Sequence, residues 1–389
     1  MFKPLYIQVL LSSCNHAAFN ALRLTMLLYA ASLSASPAML GLLAATNGVV
    51  SAFMAVSMGK WIDRVGPRKP FMIASLVIAG SAFLVWGVEG MIVLFAISPV
   101  AGMFNSLFQI GSHQAIGRFG KPEDRVSNFT MHSLGISAAT FVGPMIAGLS
   151  VDHLGPVASF LLIGALSSLP LLVLGSKLLV YPPPHAAKKQ DAATEVKGSW
   201  PLLRDVNLRR AYIVASINNC MWSLVGFMIP LYGTQIGMSA TRIGTLMAIL
   251  ATGTVGIRLL MPWLLRNLGR WHLVIGAQTM MAIGFIGMPF TEVYFWMGLF
   301  ATLMGAGLGL AGPVSTTLMY DASPPQRVGE VVGMRMTVGN IGQTVMPLLS
   351  GAVGAALGVG PVFWTVSVLI MANVVSLRDR LATDRKPGA

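Results

Sequence analysis

Residues 59–70, "GKWIDRVGPRKP", crowd Lys60, Asp63, Arg64, Arg68 and Lys69 into a turn between two long apolar runs. The runs cover 38–58 and 69–88, and each is long enough to cross a bilayer, which takes about 20 mainly apolar residues. Gly66 supplies the turn, because glycine adopts backbone angles closed to other residues. The stretch therefore predicts two membrane helices joined by a short basic loop, and basic loops stay on the cytoplasmic side.

The rest of the chain follows the same pattern. Its 389 residues are 55% hydrophobic and 10% charged, with a mean hydropathy of +0.72. Soluble domains carry about 25% charged residues, so this is a membrane protein. Ten further apolar segments bring the total to twelve: 5–32, 91–113, 128–150 and 157–178 in the first half, then 210–233, 242–264, 271–290, 293–318, 329–353 and 360–377. One long break, 179–209, runs from a proline cluster into charged and small residues and reads as a flexible linker. The expected organisation is an all-α membrane protein with a six-helix bundle at 1–180, a cytoplasmic linker at 181–209 and a second six-helix bundle at 210–389. The first apolar segment outruns the apolar core of a signal peptide and is interrupted by polar groups, so it reads as a retained helix.

The formal charge of +13 raises the question of nucleic acid, but no soluble basic module is present to bind it. Topology accounts for the charge instead. With the N-terminus inside, 22 of the 26 Lys and Arg residues fall on the cytoplasmic side, Arg242 falls opposite, and Arg23, Arg258 and Arg335 lie within helices. Cys14 and Cys220 sit in apolar stretches without Cys/His spacing, which argues against a disulfide framework, a metal or a cofactor. HExxH, GxSxG and Walker patterns are absent from the sequence, so an enzyme is not expected.

A register of 203 residues relates the two halves. Leu28-Tyr29 recurs as Leu231-Tyr232, Ser36 as Ser239, Gly41 as Gly244, Gly66 as Gly269, Pro144 as Pro347, Gly148 as Gly351 and Leu154-Gly155 as Leu357-Gly358. Six helices separate equivalent positions, so the halves enter the membrane in the same sense, as parallel repeats.

Gly59, Asp63, Arg64, Gly66, Arg68 and Lys69 match the GxxxD(R/K)xGx(R/K)(R/K) signature, and the chain thereby resembles the major facilitator superfamily of secondary transporters. The glycines Gly135, Gly143 and Gly148 with Pro144, in "GISAATFVGPMIAG", resemble the helix 5 motif of its exporters and antiporters. The resemblance implies that Asp63 meets the start of helix 11 at a cytoplasmic gate, and that helices 1, 4, 7 and 10 line the cavity. On physical grounds Gly59 permits close helix approach, while Arg64, Arg68 and Lys69 anchor to anionic headgroups. Two features depart from the drug–proton antiporters. Ser98 stands before Gly102 where their helix 4 motif carries arginine, and all thirteen acids fall in loops or at helix ends.

An arginine at the centre of a membrane helix costs about 2.5–3.5 kcal/mol on insertion scales, so it faces protein or a wet cavity. Arg23, Asn20, His16 and Ser12 form one polar stripe at helical spacing. Helix 4 carries Asn105, Gln109 and His113, and helix 7 carries Asn218, Asn219, Trp222 and Ser223. The expected substrate site comprises Arg23, Asn20, His16, Asn105, Gln109, Asn219, Trp222 and Arg258, with His113 and His132 as candidate proton relays. Arg335 belongs equally to a headgroup contact. Guanidinium groups without a balancing acid favour an anionic ligand. The expectation is a monomeric, multi-pass protein of a bacterial inner membrane, both termini cytoplasmic. It moves a small organic solute by alternating access, first as an exporter of an anion or amphiphile. Proton-coupled drug efflux is the second reading and sugar or organic-acid uptake the third; the coupling ion is open.

Overall fold

The structure is a computed structural model, and it describes residues 4–117, 119, 125–176, 179, 181, 206–322 and 328–380. Among the described residues there are twelve α-helices and no strand. They are α1 (Pro4–Ser32), α2 (Pro37–Val65), α3 (Arg68–Gly87), α4 (Met91–Ile116), α5 (Arg125–Leu154) and α6 (Pro156–Gly175). The second set is α7 (Val206–Gln235), α8 (Ala240–Asn267), α9 (Arg270–Gly287), α10 (Tyr294–Ala322), α11 (Val328–Leu357) and α12 (Val359–Ser376).

Nine of the described helices are long and apolar enough to cross a membrane, and α2 and α11 add shorter apolar stretches, Pro37–Ser51 and Thr344–Leu357. The first helix is not among the nine, because Gln8, Asn15, His16, Asn20 and Arg23 dilute its hydropathy. Helix ends differ from the apolar spans by a few residues. Backbone hydrogen bonding continues past the apolar stretch until a cap stops it, so α2 runs to Val65, where Gly66 (φ 77°) donates its N–H to the Ile62 carbonyl. The span expected at 271–290 is α-helical only to Gly287 and tightens to a 3-10 turn over Met288–Phe290. Pro289 there lacks the N–H an α-helix would use.

Two compact units emerge, Met1–Ala193 with Gly233–Ala248, and Thr194–Tyr232 with Ile249–Ala389. In the first, Phe71 stacks on Phe108 with centroids 4.5 Å apart, within a core that includes Met58, Ile62, Leu107 and Leu174. In the second, Phe363 lies against both Tyr232 and Phe285.

The 203-residue register is a structural repeat. Tyr29 meets Phe160 edge-on (5.9 Å, 73°), and Tyr232 meets Phe363 in the same way (5.6 Å, 72°). Ser36 Oγ caps α2 by accepting from the Met39 N–H, and Ser239 Oγ accepts from the Arg242 N–H, each at 3.3 Å. Gly155 and Gly358 take φ of 83° and 86°, and Ser34 and Gly237 take 60° and 70°. A Cβ on Gly102 would strike the Asn47 carbonyl, and a Cβ on Gly305 would strike that of Leu250. Every pair is offset by 203, so turns, caps, aromatic contacts and helix crossings all repeat. Ser34/Gly237, Gly102/Gly305 and Phe160/Phe363 add to the pairs seen in the sequence.

Candidate functional site

Helix α1 presents a polar ladder to α4 and α5. At its first step Tyr181 Oη donates to Gln8 Oε1 at 2.6 Å, and burial pushes the Tyr181 phenol well above its ordinary range. Gln8 Nε2 donates to Ser12 Oγ (3.2 Å) and Ser112 Oγ (3.4 Å), and Ser12 Oγ lies 3.0 Å from Ser112 Oγ. One turn on, Asn15 Nδ2 donates to Asn105 Oδ1 at 3.3 Å. His16 comes next, with Nδ1 2.8 Å from Gln109 Nε2 on α4 and Nε2 3.3 Å from Thr140 Oγ1 on α5.

Asn20 and Arg23 continue the face that carries His16. Asn20 lies where Gly143 lets α5 approach: a Cβ on Gly143 would lie 2.6 Å from the Ala17 carbonyl oxygen and 2.9 Å from Asn20 Cβ. Asn20 Nδ2 and Arg23 Nε are buried and have no hydrogen-bond partner among the described residues. A buried unsatisfied donor costs about 1–3 kcal/mol, more when charged. Two such donors three residues apart on one face are what an oxygen-bearing ligand would satisfy.

The expected partners in the second unit are arranged differently. Asn218 is buried on α7 with Oδ1 lacking a partner among the described residues. Its amide lies by Gly312 of α10, whereas Asn219 lies by Gly339 of α11. Trp222 is half-buried and Ser223 buried. Arg258 is half-buried on α8 and engaged within the protein. Thr254, one turn before it, donates instead to the Gly305 carbonyl at 2.9 Å. The Arg335 side chain lies outside the described residues.

Two assignments in the 59–70 loop are corrected. Gly59 was expected to permit close helix approach, but a Cβ there would meet nothing nearer than Gln114 Nε2 at 3.7 Å, an ordinary contact. Arg68 was expected to anchor to headgroups, yet its guanidinium donates to the Leu174 carbonyl and so caps the C-terminal end of α6. Gly66 makes the expected turn. Arg64 and Lys69 are exposed, as is Asp63, which is engaged within the protein. The side chains at the start of α11, which the resemblance pairs with Asp63, lie outside the described residues.

The α5 glycines pack as small residues should. Gly135 lies against Val9 and Ser13 of α1, Gly143 against Ala17 and Asn20, and Gly148 against the Ala240 carbonyl at the start of α8. Pro144 is buried, and its carbonyl faces Gly244 of α8. Beside Gly148, the Asp152 carboxylate accepts from the Ala240 N–H (3.0 Å) and the Thr241 N–H (2.7 Å), capping α8 where a helix N-terminus favours negative charge. His113 and His132 pack edge to face with centroids 5.2 Å apart; His132 is buried and its Nε2 has no partner among the described residues.

Six contributors are not singled out by the sequence: Gln8, Asn15, Ser112, Thr140, Asp152 and Tyr181. Gln8 was within reach, since it precedes Ser12 by one turn on the polar stripe.

A family model described as Major Facilitator Superfamily matches residues 9–301 and 269–388. The chain is 29% identical to the cyanate transport protein CynX of Escherichia coli (strain K12) over 44% of each chain, less than half of that relative. It is 22% identical to the multi-drug resistance efflux pump PmrA homolog of Lactococcus lactis subsp. lactis over 86% of this chain and 83% of the relative. The crystal structure of a bacterial homolog to human lysosomal transporter Spinster, inward-facing and occupied, superposes with a TM-score of 0.78 at 14% identity, covering 100% of both chains. That likeness shows the shared fold.

Proposed function

The chain belongs to the major facilitator superfamily and is a multi-pass membrane transporter of small solutes, and we propose that its solute is a small organic anion held at Arg23. One observation carries this reading: Arg23 Nε and Asn20 Nδ2 are buried donors, three residues apart, without an acceptor among the described residues. An oxyanion supplies what both lack, and a guanidinium binds carboxylate or sulfonate through parallel hydrogen bonds. Arg23 also has no counterpart at the equivalent position, Gly226, so it belongs to the solute and not to the scaffold. His16, Gln109, Asn105 and Thr140 form the polar wall beside it.

Transport proceeds by alternating access, with the two six-helix bundles at 1–180 and 210–389 as the moving bodies and 181–209 as their linker. Outward flux is supported by the α5 glycines, which resemble those of exporters, and by the relatives named as efflux pumps. A bacterial inner membrane with both termini cytoplasmic agrees with the distribution of Lys and Arg.

A thermal-shift panel tests the proposal. Benzoate, benzenesulfonate and cyanate are compared with choline and glucose on wild type and Arg23→Gln. A ligand at 100 times its Kd adds about 2.7 kcal/mol, so a binding anion raises Tm in wild type and not in the variant. A response to choline alone would overturn the anion reading.

A further inference from the structure

We infer that His16 is a proton-binding site coupled to the anion at Arg23, so that one proton is taken up with each anion. The inference rests on the anion reading above and adds the coupling ion to it.

The groups around the imidazole match one protonation state to each orientation of the Gln109 amide. Gln109 presents its amide nitrogen, which can only donate, to Nδ1 at 2.8 Å, so Nδ1 carries no hydrogen. Thr140 donates its hydroxyl hydrogen to the Ile136 carbonyl at 2.9 Å. Its oxygen therefore accepts from the Nε2–H at 3.3 Å. With the Gln109 amide in this orientation the ring fits as the neutral Nε2–H tautomer, both nitrogens satisfied.

A half-turn of the Gln109 amide changes what the pocket accepts. Its Oε1 then faces Nδ1, and an imidazolium finds an acceptor for each of its two N–H groups, Gln109 Oε1 and Thr140 Oγ1. No helix has to move. One side-chain rotation separates a site built for neutral histidine from a site built for its charged form.

Surrounding charges decide which form is held. On α1 the titratable neighbours are Cys14 and Arg23, the latter seven residues, about 10 Å, along the same face. The only titratable group on α4 is His113; α6 carries none. On α5 they are His132, Arg125 with its side chain outside the described residues, and Asp152 and His153 at the far end, where Asp152 is committed to the start of α8. With the site empty, Arg23 opposes a second positive charge at His16. An anion on Arg23 reverses that field, and the proton follows. Linkage is reciprocal, so protonated His16 tightens the anion by the same factor. Affinity is greatest at low pH and is lost as pH rises through the anion-bound midpoint of His16. Anion and proton then travel together, so a monovalent anion accumulated inside leaves down its own gradient without moving net charge.

The test uses the purified full chain with benzoate, benzenesulfonate and cyanate, all ionised in the range, and measures Kd by thermal shift at about pH 5.5 and 7.5. Wild type should bind at least about fivefold tighter at the lower pH. The ratio between the two pH values should fall to about one in His16→Gln and in Gln109→Met, which cannot offer the second acceptor. A ratio that persists in both variants, or a wild-type ratio of one, overturns the inference while the anion reading stands on Arg23→Gln. A wild type that answers to none of the three anions overturns both.

Discussion

Helices α1 and α7 occupy equivalent places in the 203-residue repeat, yet they carry different chemistry. His16, Asn20 and Arg23 correspond to Asn219, Ser223 and Gly226, and the α4 and α5 partners Asn105, Gln109 and Thr140 correspond to Leu308, Gly312 and Gln343. The contacts follow the substitutions. Asn15 Nδ2 donates to Asn105 Oδ1, whereas leucine stands at the position equivalent to Asn105, and Asn218 Oδ1 has no partner among the described residues. By contrast the aromatic pairs, serine caps, positive-φ turns and glycine crossings are the same in both halves of the repeat. What repeats is the scaffold, and what differs is the set of groups that can recognise a solute.

The comparison is broken most severely where the halves agree. Gly102→Val and Gly305→Val each drive side-chain atoms into a facing carbonyl, and overpacking costs about 1–3 kcal/mol or more. Both should lower the yield of monodisperse protein in size-exclusion chromatography, and to a similar degree. A large loss in one and none in the other would mean that the two crossings are not equivalent.

A smaller effect separates the asparagines. Asn15→Leu leaves the Asn105 carbonyl unpaired and should lower stability by about 1–2 kcal/mol. Asn218→Leu removes an already unsatisfied group and should leave Tm unchanged or raise it. Equal losses at the two sites would show that Asn218 has found a partner.

Asp152 sharpens the contrast at the end of α5, since its equivalent is Ala355. Asp152→Ala removes the cap from α8 and should cost about 0.5–1 kcal/mol, the discount reflecting an exposed carboxylate; Ala355→Asp should gain nothing comparable. Thermal unfolding in detergent measures both. The smallest effect is at Ser34, which holds φ of 60° where its equivalent is Gly237. Ser34→Gly relieves a left-handed serine and should raise stability by at most about 1 kcal/mol, while Gly237→Ser lowers it.

Much of the fold was legible because it rests on coarse signals. Apolar length sets the spans, basic residues set the loops, and a constant offset exposes the repeat. Helix ends were less legible, since hydrogen bonding runs on past the apolar stretch until a cap such as Gly66 stops it. In the candidate site, His16, Asn20 and Arg23 were legible as a stripe because helical spacing brings them to one face. Their partners were harder to see. Thr140 lies on a helix whose glycines drew the reading toward packing, and Asn15 turns toward α4, where pairing with Asn105 depends on how the helices are rotated. Arg68 looked like any basic loop residue, since nothing local tells a headgroup contact from a cap on a helix about 100 residues away.

The central claim is that α1 holds the solute through a charge its counterpart lacks. Counterflow of labelled benzoate in proteoliposomes, comparing wild type, Arg23→Gln and Gly226→Arg, tests it most directly. Saturable exchange should be present in wild type, fall at least about tenfold in Arg23→Gln, and fail to return when Gly226→Arg is added to that variant. Undiminished exchange in Arg23→Gln would contradict the account.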